Sequence, residues 1–289
     1  MTDRPGLVRW LTAPNPSLLT GMGTNTYLVG TTDIAVIDPG PDLATHHAAI
    51  LENVGRRGRI SHIIVTHAHC DHSALARQLG HRTGAPILAF GDALSGRSAR
   101  MTALAATLAP ANEGLDLDFQ PEQTLRDGDR ITGPDWELEV HHTPGHLGGH
   151  VCLALGETLF SGDHVMGWST TIVAPPDGDM TDYMASLYRL AGSRWQRFLP
   201  GHGGPVEDPA ERLAALIRHR QSREAAILDA LASGPARIRD LAARIYHDTP
   251  APLLPAAARN IHAHLIDLEA RNLVLASPSL QPDAVYSRL

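Results

Sequence analysis

Residues 66–72 run Thr66-His67-Ala68-His69-Cys70-Asp71-His72, which places three imidazoles and a carboxylate within six positions. Side chains of this kind are not buried unpaired, because each unpartnered polar group in an apolar interior costs several kcal/mol. Yet the segment follows Ile60-Ser61-His62-Ile63-Ile64-Val65, an apolar run of strand length. A strand that delivers ligands at its C-terminal end is a rigid way to build a metal site.

The same pattern recurs downstream. Trp136-Glu137-Leu138-Glu139-Val140 leads to Thr143-Pro144-Gly145-His146, and Thr158-Leu159-Phe160-Ser161-Gly162 ends in Asp163. Leu199-Pro200-Gly201-His202-Gly203 adds a further histidine. Each candidate ligand sits where a strand-like run meets a glycine, and glycine permits close backbone approach and positive φ.

These four segments resemble the metallo-β-lactamase-fold hydrolases. The resemblance implies an α/β (α+β) fold, an αββα sandwich with a dinuclear metal site at the edges of its two sheets. It implies that His67, His69 and His146 hold one ion, that Asp71, His72 and His202 hold the other, and that Asp163 bridges both. Asn25-Thr26-Tyr27-Leu28-Val29-Gly30 and Ile37-Asp38-Pro39-Gly40 are similar to the opening strands of the superfamily, where Asp38 would support the ligands as a buried carboxylate.

Imidazole and carboxylate donors with little thiolate suit zinc, with manganese and iron as competitors. Two such ions would clamp the reacting oxygens and generate a hydroxide nucleophile near neutral pH. No Gly-x-Ser-x-Gly elbow is present to support a serine nucleophile. Asp71 is the candidate catalytic residue, orienting the hydroxide and taking its proton. Cys70 is expected to be a small packed residue and Cys152 a core residue. His150 is open between orienting His146 and a hydrogen-bonded place in the core.

Composition excludes other classes. All 24 basic residues are arginine, so lysine chemistry is ruled out. Two cysteines leave no disulfide framework and fit a reducing, cytoplasmic setting. Met1-Thr2-Asp3-Arg4-Pro5 begins no apolar leader segment, so no signal peptide is expected. No apolar run approaches the roughly 20 residues of a membrane span.

Charge is uneven: residues 1–210 carry 14 Arg against 23 acids, a net −9, and residues 211–289 carry 10 Arg against 8 acids, a net +2. The shift predicts a catalytic domain over 1–215 and a second domain over 216–289. A helix is expected from Asp208 as N-cap and Pro209 as first residue to Gly234-Pro235. Ile238, Leu241, Ala242 and Ile245 form the face of a second helix. A loop holding three prolines, Pro250 to Pro255, should precede a third with Ala257, Ile261, Leu265 and Leu268 inward. A terminal hairpin at Leu273-Val274-Leu275 and Ala284-Val285-Tyr286 completes a winged-helix pattern. Arg259, His262, Asp267, Glu269 and Arg271 are the expected exposed residues of its last helix. They form no basic stripe, which favours packing or substrate shaping over reading nucleic acid.

The whole chain resembles the β-lactamase-like protein 2 group of the superfamily. The matching residues include Thr170-Thr171, Asp182-Tyr183-Met184, Ser186-Leu187, His219-Arg220 and Arg223-Glu224. Animal members of that group cleave single-stranded RNA, which implies a phosphodiesterase. The acidic catalytic half favours instead a small carbonyl substrate: a thioester, lactone or amide. A third reading is a nucleic-acid-binding protein with a vestigial metal site. Trp168, Thr170, Thr171 and Tyr183 are the candidate substrate contacts by position, with packing in the core the favoured alternative for Tyr183, while His164 and Trp168 are expected to narrow the pocket. Self-association as a homodimer stays open.

Overall fold

Period-two alternation of apolar side chains sorts the strands into layers. In the computed structural model, which describes residues 6–108 and 114–289, β1 (Val8–Thr12), β2 (Asn25–Val29) and β3 (Asp33–Ile37) form an antiparallel meander. After α1 (Ala44–Val54) comes β4 (Arg59–Ile64), parallel to β3. The short α2 (Cys70–Ser73) and α3 (Ala76–Thr83) lead to β5 (Ile87–Ala89). Then α4 (Ala99–Ala105) precedes β6 (Gln123–Thr124), and the first sheet runs β1-β2-β3-β4-β5-β6.

The second sheet contains β7 (Arg130–Thr132), β8 (Glu137–His142), β9 (Val151–Leu155) and β10 (Thr158–Gly162). After α5 (Met180–Ala191), β11 (Arg197–Pro200) joins β10 in parallel, giving the order β11-β10-β9-β8-β7.

Ala35 and Ile37 of β3 and Val151 and Leu153 of β9 face each other in the core between the sheets, with Tyr27, Leu138, Phe160 and Leu199. The alternate residues Ile34 and Val36 pack outward beside Ile50 of α1 and Leu79 of α3. Cys152 and Ala154 point the other way, towards Tyr183 and Leu187 of α5. Two apolar faces per sheet therefore force an αββα sandwich.

Next comes α6 (Pro209–Ala232), which starts where expected: the Asp208 carboxylate accepts the Glu211 N–H at 3.0 Å, and Pro209 occupies the first turn. The rest of the tail is β12 (Ala236–Arg237), α7 (Ile238–Ile245), α8 (Leu254–Ala270), β13 (Val274–Ser277) and β14 (Val285–Arg288). Its small sheet runs β12-β14-β13. Pro250 to Pro255 is not a loop throughout. A 3₁₀ turn covers Ala251–Leu253, and Pro255 lies in the first turn of α8, where a missing N–H breaks no bond.

The expected division at 215/216 falls inside α6. Leu213 and Leu216 pack in the catalytic core, while Ile227 and Leu231 pack with Leu241, Ile261 and Tyr286. Each fully buried aliphatic contributes about 1.5–3 kcal/mol, so both cores hold the one helix.

The last helix of the winged-helix domain is occupied on both sides. Ile261, Leu265 and Leu268 face its own core, and Ala263 joins the catalytic one. Asn260 Oδ1 accepts from Val173 N–H at 3.1 Å and from Arg220 at 3.0 Å, and Asp267 accepts from Thr181. Glu269 pairs with Arg100 of α4. His262, expected to be exposed, is buried. No helix among the described residues is long and apolar enough to cross a membrane.

Candidate metal centre

Loops following β4, β8, β10 and β11 converge at one edge of the sandwich. All seven expected ligands meet there in three overlapping groups: His67–His69–His146, His67–His72–Asp163 and Asp71–His72–His202. Within each group the donor atoms lie inside 4.8 Å of one another. His69 Nδ1 is 3.1 Å from His146 Nε2. The Asp163 carboxylate reaches towards both halves, with Oδ1 3.5 Å from His72 Nε2 and Oδ2 3.3 Å from His202 Nε2 and 3.7 Å from His146 Nε2. Asp71 Oδ2 lies 3.3 Å from His202 Nε2 and 3.5 Å from His72 Nε2.

The rings are aimed by their other nitrogens. His146 Nδ1 donates to the Ile172 carbonyl at 2.8 Å and His202 Nδ1 to the Gly23 carbonyl at 3.1 Å. His72 Nδ1 donates to Asp38 at 2.9 Å. A ring whose Nδ1 carries the donated proton presents Nε2 as a lone pair in its neutral form. Asp38 also accepts the Thr66 N–H at 2.7 Å and the Thr66 hydroxyl at 2.8 Å, and so fastens the ligand loop to the end of β3.

Gly201 is required by space. A Cβ there would lie 2.5 Å from Asp163 Oδ1 and 2.6 Å from His72 Cε1, closer than real Cβ contacts come.

The donor set fits divalent metal on an observation independent of motif. His67 Nε2, His72 Nε2 and Asp163 Oδ1 are buried with no hydrogen-bond partner among the described residues. Buried polar atoms are otherwise almost always paired, and an ion is a standard reason for the exception. Five imidazoles and two carboxylates without thiolate match zinc and its first-row competitors.

Electrostatics divides the cluster. Burial, reinforced by neighbouring His72 and His69, holds His67 well below the usual imidazole range. Burial and then His146 bring His69 down to about 3, and burial lowers His146 as well. Burial also opposes charge on His202 and His72, but the carboxylates outweigh it. Asp163 and Asp71 push His202 up to about 10, while Asp71, Asp163 and Asp38 raise His72 well above its ordinary value. Burial works against ionised Asp71 and Asp163 too, and His72 and His202 more than reverse it, so both carboxyls stay well below their usual range.

A pH dependence follows. His67, His69, His146, His150, His164 and His264 all have lowered folded-state pKa values, with burial the largest cause in each. Unfolding lets such groups take up protons below the ordinary imidazole value of 6.5, so their contribution is lost as pH falls through that value. His72 and His202 act in the opposite sense but are outnumbered. Metal-free protein should lose about 1.4 kcal/mol per pH unit for each net proton taken up below about pH 6. Thermal unfolding at pH 7 and pH 5 measures this, and an equal or higher midpoint at pH 5 would contradict it.

Other expected residues are placed as follows. Cys70 is exposed at the start of α2 and belongs to none of the donor groups, because the chain turns helical there instead of staying extended. His150 is a buried positioning residue. Its Nδ1 meets the Thr143 hydroxyl at 2.9 Å and its Nε2 accepts the Asp163 N–H at 3.2 Å, so it supports Asp163 and not His146.

A cavity of 560 Å³ opens beside the centre, with Asp71, His146, Asp163 and His202 in its wall. Trp168 and Thr170 line it as expected. Thr171 and Tyr183 do not. Both are fully buried: the Thr171 hydroxyl holds the Asp163 and His164 carbonyls, and Tyr183 packs in the α5 core. His164 is likewise buried, its ring 4.8 Å from that of Tyr183, and cannot narrow the cavity.

Residues that no motif reveals include Thr24, whose hydroxyl donates to Asp71 Oδ2 at 3.0 Å from 47 positions away. No local signal reports such a pair. The burial of Arg220 is also unannounced by its motif, although its place along the Leu213–Leu216–Ile227 stripe of α6 is the signal for it.

The sequence profile of the metallo-beta-lactamase superfamily matches residues 19–202. The chain belongs to that superfamily. A profile for the beta-lactamase-associated winged helix domain matches residues 238–279. The chain is 33% identical over 275 residues to the beta-lactamase-like protein 2 homolog of Drosophila melanogaster, covering 92% of this chain and 88% of the relative. Its fold follows a metallo-beta-lactamase family protein from Thermus thermophilus with a TM-score of 0.78 and 26% identity, over 99% of both chains. The protein TTHA1623, solved in a di-iron-bound form, is 29% identical with a TM-score of 0.52, over 70% of this chain and 96% of that one. Members of the superfamily are metal-dependent hydrolases, and this chain is a hydrolase of that kind.

Proposed function

We propose that this chain is a dinuclear metal-dependent hydrolase of small carbonyl substrates: thioesters, lactones or amides. The observation that carries the reading is the convergence of seven donor side chains with His67 Nε2, His72 Nε2 and Asp163 Oδ1 buried and unpartnered. In this reading His67, His69 and His146 would hold one ion and Asp71, His72 and His202 the other, and Asp163 would serve both. Zinc is preferred by the donor chemistry, and manganese or iron are the alternatives. When bound, the ions supply a water of lowered pKa and positive charge for the oxygens of the reacting group.

The chain's own residues do the rest. Asp71 is part-exposed to the cavity, and its Oδ2 is fixed by Thr24 and His202. In this reading it orients a water on the cavity side and accepts its proton. Leu18, Met166, Trp168 and Ile172 give the cavity apolar walls that exclude competing water. A cavity of 560 Å³ suits a small ligand, and α8 is engaged with the catalytic domain on the side where a winged helix would meet nucleic acid. Free Cys70 and Cys152 support a cytoplasmic setting.

Asp71→Asn should retain the fold and lower turnover by about 10²–10⁴-fold on any ester or thioester cleaved. Metal content measured alongside separates proton transfer from ligation, and near-normal turnover would exclude the role given to Asp71. A second reading, endonucleolytic cleavage of single-stranded RNA, is favoured by Tyr246 and Arg223 in the cavity wall, since an aromatic face and a guanidinium suit bases and phosphates. Cleavage of labelled RNA by zinc- or manganese-loaded protein, lost in His67→Ala, selects that reading. A vestigial site is disfavoured, because a relic has no reason to keep unpaired buried donors.

A further inference from the structure

The cavity that contains Asp71, Asp163 and His202 is also walled by Arg220, Arg223 and Tyr246. Arg220 is 1% exposed. Its Nη atoms donate to Asn260 Oδ1 and the Thr171 carbonyl, and its Nε is buried with no partner among the described residues. Arg223 donates to the Ile245 carbonyl at 3.1 Å and lies over Tyr246, its Cζ 4.5 Å from the ring centroid. Each of these acceptors is neutral.

The nearby carboxylates are engaged elsewhere. Glu224 pairs with Arg271 at 2.6 Å, and Asp177, which also lines the cavity, pairs with Arg97. A third α6 guanidinium, Arg212, is taken up by the Met166 and Ser169 carbonyls. The positive neighbourhood is felt by His219, which lines the same cavity and is brought down to about 4 by burial and then by Arg220, Arg223 and Arg212. A desolvated charge without a counter-ion, as at Arg220, is costly, and protein interiors pair it; Arg223 beside it is half-buried. Here the missing partner has a cavity to occupy.

The geometry points to an anion subsite on this wall. Arg223, held against Tyr246, receives a carboxylate or phosphate carried by the substrate at a distance from its labile bond, and Arg220 supplies the buried charge behind it. Guanidinium–oxyanion pairing is the chemistry for such a group. The subsite deepens the proposed hydrolase reading, on which the position of the labile bond rests. It makes the winged-helix domain, which contributes Tyr246, a determinant of which substrate is accepted.

Three 4-nitrophenyl esters of equal chain length test it: hexanoate, adipate and 6-phosphonohexanoate. Metal-loaded protein should favour one of the two charged esters over hexanoate by about tenfold or more in kcat/KM. Arg223→Ala should bring that ratio towards one, chiefly through KM, and Arg223→Lys should restore part of it. No preference in the unaltered protein, or an unchanged ratio in Arg223→Ala, overturns the subsite. The carboxylate and phosphonate arms tell which anion is meant.

Binding is measured separately from hydrolysis, by calorimetry of metal-free protein with benzoate and phenyl phosphate. Binding that Arg223→Ala abolishes sustains the subsite even if no ester is cleaved, a result that counts against the hydrolase reading alone. Failure of both anions to bind overturns the subsite. So does retention of a single-stranded oligoribonucleotide without either small anion.

Discussion

Replacing Asp163 with alanine is expected to remove both tight metal binding and activity. The carboxylate approaches histidines on both sides of the centre, His72 at 3.5 Å, His202 at 3.3 Å and His146 at 3.7 Å. It is buried, and its backbone is fixed by His150 and Thr171. Metal content should fall below two ions per chain, and turnover by about a thousandfold, equivalent to about 4 kcal/mol of barrier. Elemental analysis and ester hydrolysis on the same preparation provide the check. Two retained ions with turnover within tenfold would remove Asp163 from the shared position.

Asp38→Ala should be the most destabilising single change near the centre. Asp38 is 2% exposed and accepts three hydrogen bonds, from the Thr66 N–H, the Thr66 hydroxyl and His72 Nδ1. Alanine leaves those donors buried without acceptors, at a cost of about 3–5 kcal/mol. It also frees the His72 ring, so metal affinity should fall by about 10–100-fold. Asp38→Asn separates the two effects. The amide oxygen can still accept from Thr66, but its NH₂ faces a ring nitrogen that is itself a donor. Asparagine should recover part of the stability and little of the metal affinity. Denaturant unfolding of metal-free protein and a metal titration measure each, and an alanine variant within about 1 kcal/mol of the parent would refute the bracing role.

The centre is legible in the sequence because its chemistry is local. His67, His69, Asp71 and His72 share one short stretch of chain, and His146, Asp163 and His202 each follow a strand-like run beside a glycine. The sandwich is legible for a related reason: Ala35 and Val36, or Leu153 and Ala154, alternate between faces in the way the pleat demands. The start of α6 is equally plain, since Asp208-Pro209 combines a cap with a residue suited to the first turn.

Long-range partnerships are not legible. Thr24 on Asp71 and Asn260 on Arg220 join residues whose spacing carries no periodic signal. His262 departs from expectation because α8 packs on two sides and has no broad solvent face to predict, whereas Tyr183 lies on the one buried face of α5, where an aromatic ring serves the core. Pro250–Pro255 reads as a loop from composition, yet proline stops a helix only from within and is welcome at its front.

The single helix α6 makes the joint between the domains a keyed shaft and not a tether. A loop absorbs an inserted residue by bulging, but a helix advances about 1.5 Å and turns about 100° for each one. One residue added between Leu216 and Arg220 would turn the second core relative to the first and break the contacts the two share. Arg220 and Arg223 would leave the cavity, and Ala263 would leave the catalytic core. With the proposed anion subsite in that wall, length along α6 becomes a specificity parameter, as fixed in its effect as any side chain there.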